Sequence, residues 1–167
     1  MLTILVADDD LGTRVAISDY LESIGYLVVS AQNGHEALRL VEEFQPHLIV
    51  TDITMPQMDG YEFVRRVRQQ PGLRLLPVIF LTGRTATDEK IRGYQLGCDV
   101  YLEKPFELPE VGAIVRNQLE RLQMIEQEWR RAAPQSRLPL SDSSVIATIA
   151  PTSGSSKGFS RYTSQPS

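Results

Sequence analysis

Leu2-Thr3-Ile4-Leu5-Val6-Ala7-Asp8-Asp9-Asp10 opens the chain with a nearly continuous apolar run that ends in three aspartates. A short unbroken run suits a parallel strand covered on both faces, where period-two alternation disappears. Beyond the aspartates, Ile17, Tyr20, Leu21 and Ile24 recur at helical spacing, and Gly25 ends that stripe. The pattern then repeats. Tyr26–Ala31 reads as a second strand. Asn33 suits the cap of a helix carrying Ala37, Leu38, Val41 and Phe44, which Pro46 stops. His47–Thr51 reads as a third strand, followed by a Pro- and Gly-containing loop and a helix around Tyr61–Gln69. Leu76–Leu81 is a fourth strand, Ala86–Gln95 a short helix, Cys98–Leu102 a fifth strand, and a last helix runs from about Glu107 to Arg131. Strict alternation of strand and helix predicts an α/β fold: one open, doubly wound, five-stranded parallel sheet with right-handed crossovers.

In such sheets ligands sit beyond the carboxyl ends of the strands, where the strand order reverses. The unusual chemistry falls at those ends. Strand one runs into Asp8-Asp9-Asp10, strand three ends in Thr51-Asp52, strand four in Leu81-Thr82-Gly83, and strand five leads into Glu103-Lys104-Pro105-Phe106. If strands one and three are neighbours, at least two of the first aspartates converge with Asp52. Three carboxylates in one pocket repel one another unless a hard cation neutralises them, and an oxygen-only donor set selects Mg²⁺. The Thr82 hydroxyl and the Lys104 ammonium then suit phosphoryl oxygens. Read on physics alone, this is an acidic Mg²⁺ pocket that handles phosphate, with a carboxylate able to form an acyl phosphate.

Taken together, these residues resemble the receiver domain of bacterial two-component response regulators, across essentially all of residues 1–122. Asp9-Asp10 resembles the family's metal-binding acidic pair. Asp52-Ile53-Thr54-Met55-Pro56-Gln57-Met58-Asp59-Gly60 resembles the phosphoacceptor and its loop. Thr82, Tyr101 and Lys104-Pro105-Phe106 match the switch hydroxyl, the switch aromatic and the lysine followed by a typically cis proline. The resemblance implies the flavodoxin-like strand order 2-1-3-4-5. It implies that Asp52 takes a phosphoryl group from a histidine kinase or phosphotransfer protein. Asp9 and Asp10 would hold Mg²⁺ with Asp52 and the Thr54 carbonyl, and Lys104 and Thr82 would contact the phosphate. It also implies that Thr82 and Tyr101 switch contacts with a downstream protein. A homodimer would form through the helix at 86–95, the fifth strand and the last helix. Thr54 and Arg84 occupy positions that vary in the family and tune phosphate lifetime.

Other readings of single residues stand beside these. Asp8 and Asp10 both suit the cap of the first helix, and for Asp8 the two readings balance because its side chain can point away from the Asp9–Asp10 pair. Asp59-Gly60 reads as turn and cap chemistry. Cys98 reads as a small buried hydrophobe, and His35 and His47 as structural.

Composition sets the remaining bounds. The 167 residues are 42% hydrophobic and 23% charged, ordinary for a globular domain plus an appendage. A net charge of −4 argues against nucleic-acid binding by bulk charge. One cysteine excludes an intrachain disulfide. The Met1-Leu2-Thr3-Ile4 start has no basic region that would predict a secretory signal, and no apolar run is long enough to span a membrane. The expected setting is a reducing cytoplasm.

Charge changes sign near residue 122. Residues 1–122 carry a net −6 and residues 123–167 a net +2. The organisation expected is a receiver over 1–122, a helical extension over 123–133 and a disordered tail over 134–167. The tail holds ten Ser, three Thr, four Pro and two Gly, which leaves too little apolar surface to order it, one island at Val145–Ala150 aside. In the extension, Val111, Val115, Leu122, Ile125 and Trp129 approximate a heptad seam with polar Gln118 at one site. The tail lacks a helix-turn-helix pattern. The leading expectation is therefore a receiver that acts by protein contact. A DNA-binding regulator whose output domain lies in a longer form is the alternative. A small phosphatase or flavin protein on a similar sheet fits less well. Such phosphatases carry a second Asp where Thr54 stands, and three aspartates after strand one repel a flavin phosphate.

Overall fold

The computed structural model describes residues 1–83 and 100–133. Its elements are β1 (Thr3–Ala7), α1 (Leu11–Ser23), β2 (Leu27–Ala31), α2 (Gly34–Phe44), β3 (Leu48–Asp52), α3 (Gly60–Gln69), β4 (Val78–Thr82), β5 (Val100–Glu103) and α4 (Leu108–Ala132). The strands form one parallel sheet in the order β2-β1-β3-β4-β5, as the resemblance implied. The helix expected at 86–95, Arg84, Cys98 and the tail from 134 lie outside the described residues.

Burial explains the order. The inner strands are the apolar runs: every residue of β3 and β4 is buried, as is all of β1 after Thr3. The outer strands β2 and β5 are only partly covered, as edges facing solvent must be. Alternation along the strands then builds two cores. Leu5, Ala7, Ile49 and Phe80 face α2 and α3 residues such as Val41, Phe63 and Val64. Ile4, Val6, Val50 and Leu81 face Ile17 and Leu21 of α1 and Val111 and Val115 of α4. Where α4 packs on α1, a Cβ on Gly112 would lie 2.8 Å from the Tyr20 ring, so glycine permits that approach.

The punctuation acts locally as its chemistry requires. Asn33 accepts the Glu36 N–H at 2.8 Å and Asp59 the Glu62 N–H at 2.8 Å, each from an N-cap position. Gly25, at φ +105°, turns the chain into β2. Strand four begins at Val78 rather than Leu76, because Pro77 has no N–H to donate and contributes only its carbonyl, to Ile49 N. His47 is structural: its N–H donates to Thr3 O at 2.8 Å while its Nδ1 accepts Thr3 N–H at 3.0 Å, extending the β1–β3 ladder.

One unit spans Met1–Met124 and a second begins at Ile125. The described part of the second, residues 125–133, is the end of α4. No helix among the described residues is long and apolar enough to cross a membrane.

Candidate functional site

Strand order reverses between β1 and β3, so the open ends of these two strands flank the crevice where a ligand binds. Ala7 pairs with Thr51 in the ladder, and the next residues are Asp8 and Asp52. Each carboxylate of Asp8, Asp9 and Asp52 offers an oxygen within 4.8 Å of the other two. Asp8 is fully buried and Asp52 nearly so, whereas Asp9 is exposed at the rim.

The pair taken from sequence therefore moves back by one residue. Asp10 is not in the cluster. It is the N-cap of α1, and one carboxylate oxygen accepts the Thr13 N–H at 2.8 Å and the Thr13 hydroxyl at 2.6 Å. Those bonds hold its carboxyl below the usual carboxylate range. Asp8, left open between two readings, stands in the cluster. Its Oδ1 accepts Asp10 N–H at 2.9 Å, and its own N–H donates to Ala31 O at 3.1 Å. A signal for this was present in the sequence. Strands one and three both run to the residue before an aspartate, so in-register pairing sets Asp8, not Asp10, level with Asp52.

Lys104 comes to the cluster from beyond β5. Its backbone N–H donates to Thr82 O at 2.7 Å, and its peptide bond to Pro105 is cis. Its ammonium lies 3.4 Å from Asp8 Oδ2 and 3.5 Å from Asp52 Oδ2. Among the described residues, Lys104 is paired with two of the three carboxylates, which leaves the cluster negative. Burial, and then the Asp8 charge, push the Asp52 carboxyl up to about 6, against the pull of Lys104. Burial likewise raises Asp8, opposed by Asp10 N–H and Lys104. Removing two buried carboxylates from water while they face each other disfavours ionisation, and a divalent cation relieves that strain. The donors are all oxygens, which suits Mg²⁺.

Thr82 ends β4 and is 3% exposed. Thr54 is exposed in the loop after Asp52. Tyr101 is half-buried on β5, with its ring centroid 5.5 Å from that of Phe80. Three contacts were not read from sequence. Arg14 donates from Nη1 to the Asp8 carbonyl at 2.7 Å. Gly60 donates its N–H to Ile53 O at 2.7 Å. The Tyr61 and Tyr101 hydroxyls lie 3.0 Å apart. Each joins residues whose separation in sequence carries no periodic signal.

A doubly wound parallel sheet with two buried carboxylates, a third at the rim and a lysine ammonium gathered beyond its strand ends defines the class of site to which the comparisons then give a family. The chain belongs to the response regulator receiver domain family, which it matches over residues 4–116. It is 43% identical over 123 residues to the response regulator Rre1 of Synechocystis sp., covering 73% of this chain and 53% of that protein. It is 38% identical over 118 residues to the probable transcriptional regulator ycf29 of Pyropia yezoensis, covering 71% and 53%. The chain thus spans about half the length of these curated relatives. Among solved structures, the Vibrio cholerae chemotaxis protein CheY4 superposes with a TM-score of 0.68 at 32% identity, over 70% of this chain and 98% of that one. The receiver domain of the Pseudomonas aeruginosa sensor histidine kinase PA1611, which holds a magnesium ion in its active-site cleft, gives 0.66 at 30% identity, over 71% and 98%.

Proposed function

We propose that Asp52 accepts a phosphoryl group from a histidine kinase or a histidine-containing phosphotransfer protein, and that the resulting aspartyl phosphate switches protein contacts. The observation that carries this reading is the convergence of Asp8, Asp9 and Asp52 within 4.8 Å, with Lys104 at 3.4 and 3.5 Å from two of them. Asp8, Asp9 and Asp52, with the Thr54 carbonyl, are the residues that would hold Mg²⁺. When bound, Mg²⁺ offsets the carboxylate charge that otherwise repels an incoming phosphate.

An ionised Asp52 oxygen attacks phosphorus. The new bond is Asp52 O–P, the bond broken is donor N–P, and the histidine imidazole leaves with that electron pair. Lys104 supplies positive charge to the phosphoryl oxygens, and Thr82 a hydroxyl donor. Any self-catalysed turnover is limited to gain and loss of that group. The chain works in the cytoplasm, with a downstream protein as its target and with self-association at the face that includes β5 and α4.

The test is labelling with acetyl phosphate in Mg²⁺. Wild type should form an acid-stable, hydroxylamine-labile phosphoaspartate, which chelation abolishes. Full labelling of Asp52→Asn would refute the assignment.

The relatives named as transcriptional regulators favour a second reading, in which this receiver controls a DNA-binding output domain in a longer form. Phosphorylation-dependent binding of duplex DNA by such a form would establish it.

A further inference from the structure

Tyr101, the aromatic residue expected to follow the phosphorylation state, is tied to a second tyrosine. Its hydroxyl lies 3.0 Å from that of Tyr61. Phe80 packs on both rings, with centroids 5.0 Å from Tyr61 and 5.5 Å from Tyr101. Tyr61 is 2% exposed, so its ring is fixed by the core, whereas Tyr101 is half-buried and retains access to water.

Tyr61 also lies one residue from the phosphoacceptor's own backbone contact. Gly60 donates its N–H to Ile53 O at 2.7 Å, and a Cβ built on it would fall 2.2 Å from Asp52 O. The contacts therefore run from the Asp52 carbonyl to Gly60, through one peptide to Tyr61, and across β4 to Tyr101. This route does not pass through Thr82.

Resting on the phosphoacceptor reading above, we propose that Tyr61 is a positioning residue for the switch. Its hydroxyl holds the Tyr101 ring inward over Phe80, the position open to that ring once the Thr82 hydroxyl turns toward a phosphoryl group on Asp52 and vacates space beside β5, and so links the loop after Asp52 to β5. Removing that hydroxyl withdraws one partner from the Tyr101 phenol and shifts the ring toward water. Because coupling is reciprocal, a domain less disposed to hold Tyr101 inward binds a phosphoryl mimic less tightly. A net hydrogen bond of this kind is worth a factor of about two to ten in an equilibrium constant.

The experiment measures the apparent affinity of the full chain for beryllofluoride in saturating Mg²⁺, by the ¹⁹F signal of the bound species, with thermal midpoints recorded alongside. Tyr61→Phe should weaken binding about two- to tenfold. In a Tyr101→Phe background the same substitution should weaken binding much less, because the hydroxyl pair is already gone. Equal affinity for wild type and Tyr61→Phe overturns the proposal, even if the midpoint falls, since that is what a purely structural hydroxyl would give. Equal weakening in both backgrounds also overturns it. Wild type that binds no beryllofluoride at all removes the phosphoacceptor reading itself, and this inference with it.

Discussion

Neutralising Asp52, the proposed phosphoacceptor, should stabilise the metal-free protein. Asp52 is 8% exposed and faces Asp8, and its carboxyl is pushed from 3.8 up to about 6. At 1.36 kcal/mol per unit, a rise of that size makes an ionised Asp52 cost the fold about 2–3 kcal/mol at neutral pH. The sign follows from proton counts. Between pH 4 and pH 6, roughly, the folded state binds more protons at this site than the unfolded chain, so stability falls as pH rises through that window. Above it the cost is complete, and below it the cost vanishes. Asp52→Asn removes the charge and keeps the shape, while Lys104 retains Asp8 at 3.4 Å. In EDTA at pH 7.5 the variant should therefore melt about 5–10 °C above wild type, for a domain of this size. At pH 4.5 the gap should shrink to a small fraction of that. Saturating Mg²⁺ should raise the wild-type midpoint and leave Asp52→Asn nearly unmoved. Thermal melts followed by circular dichroism read all three conditions. A variant that melts at or below wild type in EDTA at pH 7.5 would refute the electrostatic account.

Three further outcomes follow from the contacts and the composition described above. Gly60→Ala places a methyl 2.2 Å from the Asp52 carbonyl, which is backbone and cannot step aside. It should lower stability by about 2 kcal/mol or more in urea titrations and depress acetyl phosphate labelling. Thr82→Ala should still label at Asp52 yet lose most of the phosphorylation-dependent change in self-association or target binding. Both are measurable in one preparation with beryllofluoride, and an undiminished response would exclude Thr82 from the switch. Removal of residues 134–167 should leave labelling intact and the midpoint within a few degrees of the full chain, on the order of 1 kcal/mol, as a calorimetric scan would report.

The strands and helices were legible because apolar spacing alone distinguishes covered strands from amphipathic helices. The described ends of the elements fall within about two residues of their expected places, and the two-residue shift at the start of β4 traces to the missing N–H of Pro77. Asp52, Lys104 and Thr82 were legible as residues at strand ends, which is where the structure places them. Asp8 and Asp10 were exchanged because three consecutive aspartates offer two acidic pairs, and only the level ends of strands one and three mark Asp8 as the inward one. That is settled by the register of β1 on β3 and by the α1 cap, which engages Asp10 with Thr13. Gly60, Tyr61 and Arg14 were invisible for a different reason. Their partners lie across a loop, a sheet or a helix turn, and ordinary residues at ordinary spacings carry no mark of such meetings.

The bond from Gly60 N–H to Ile53 O closes residues 53–60 into a ring that starts and finishes against the acceptor. Met55 and Met58 anchor the ring from inside, while Thr54, Pro56 and Gln57 face outward. Such a ring behaves as a self-contained cassette. Its outward positions can be rewritten, or exchanged for those of another receiver, without relocating Asp52, because the pairing of β3 with β1 and β4, not the rim, sets where that residue sits. An insertion at the rim bulges into solvent. An insertion between the clasp and Tyr61 would instead shift α3 by part of a turn and rotate its buried face out of the core.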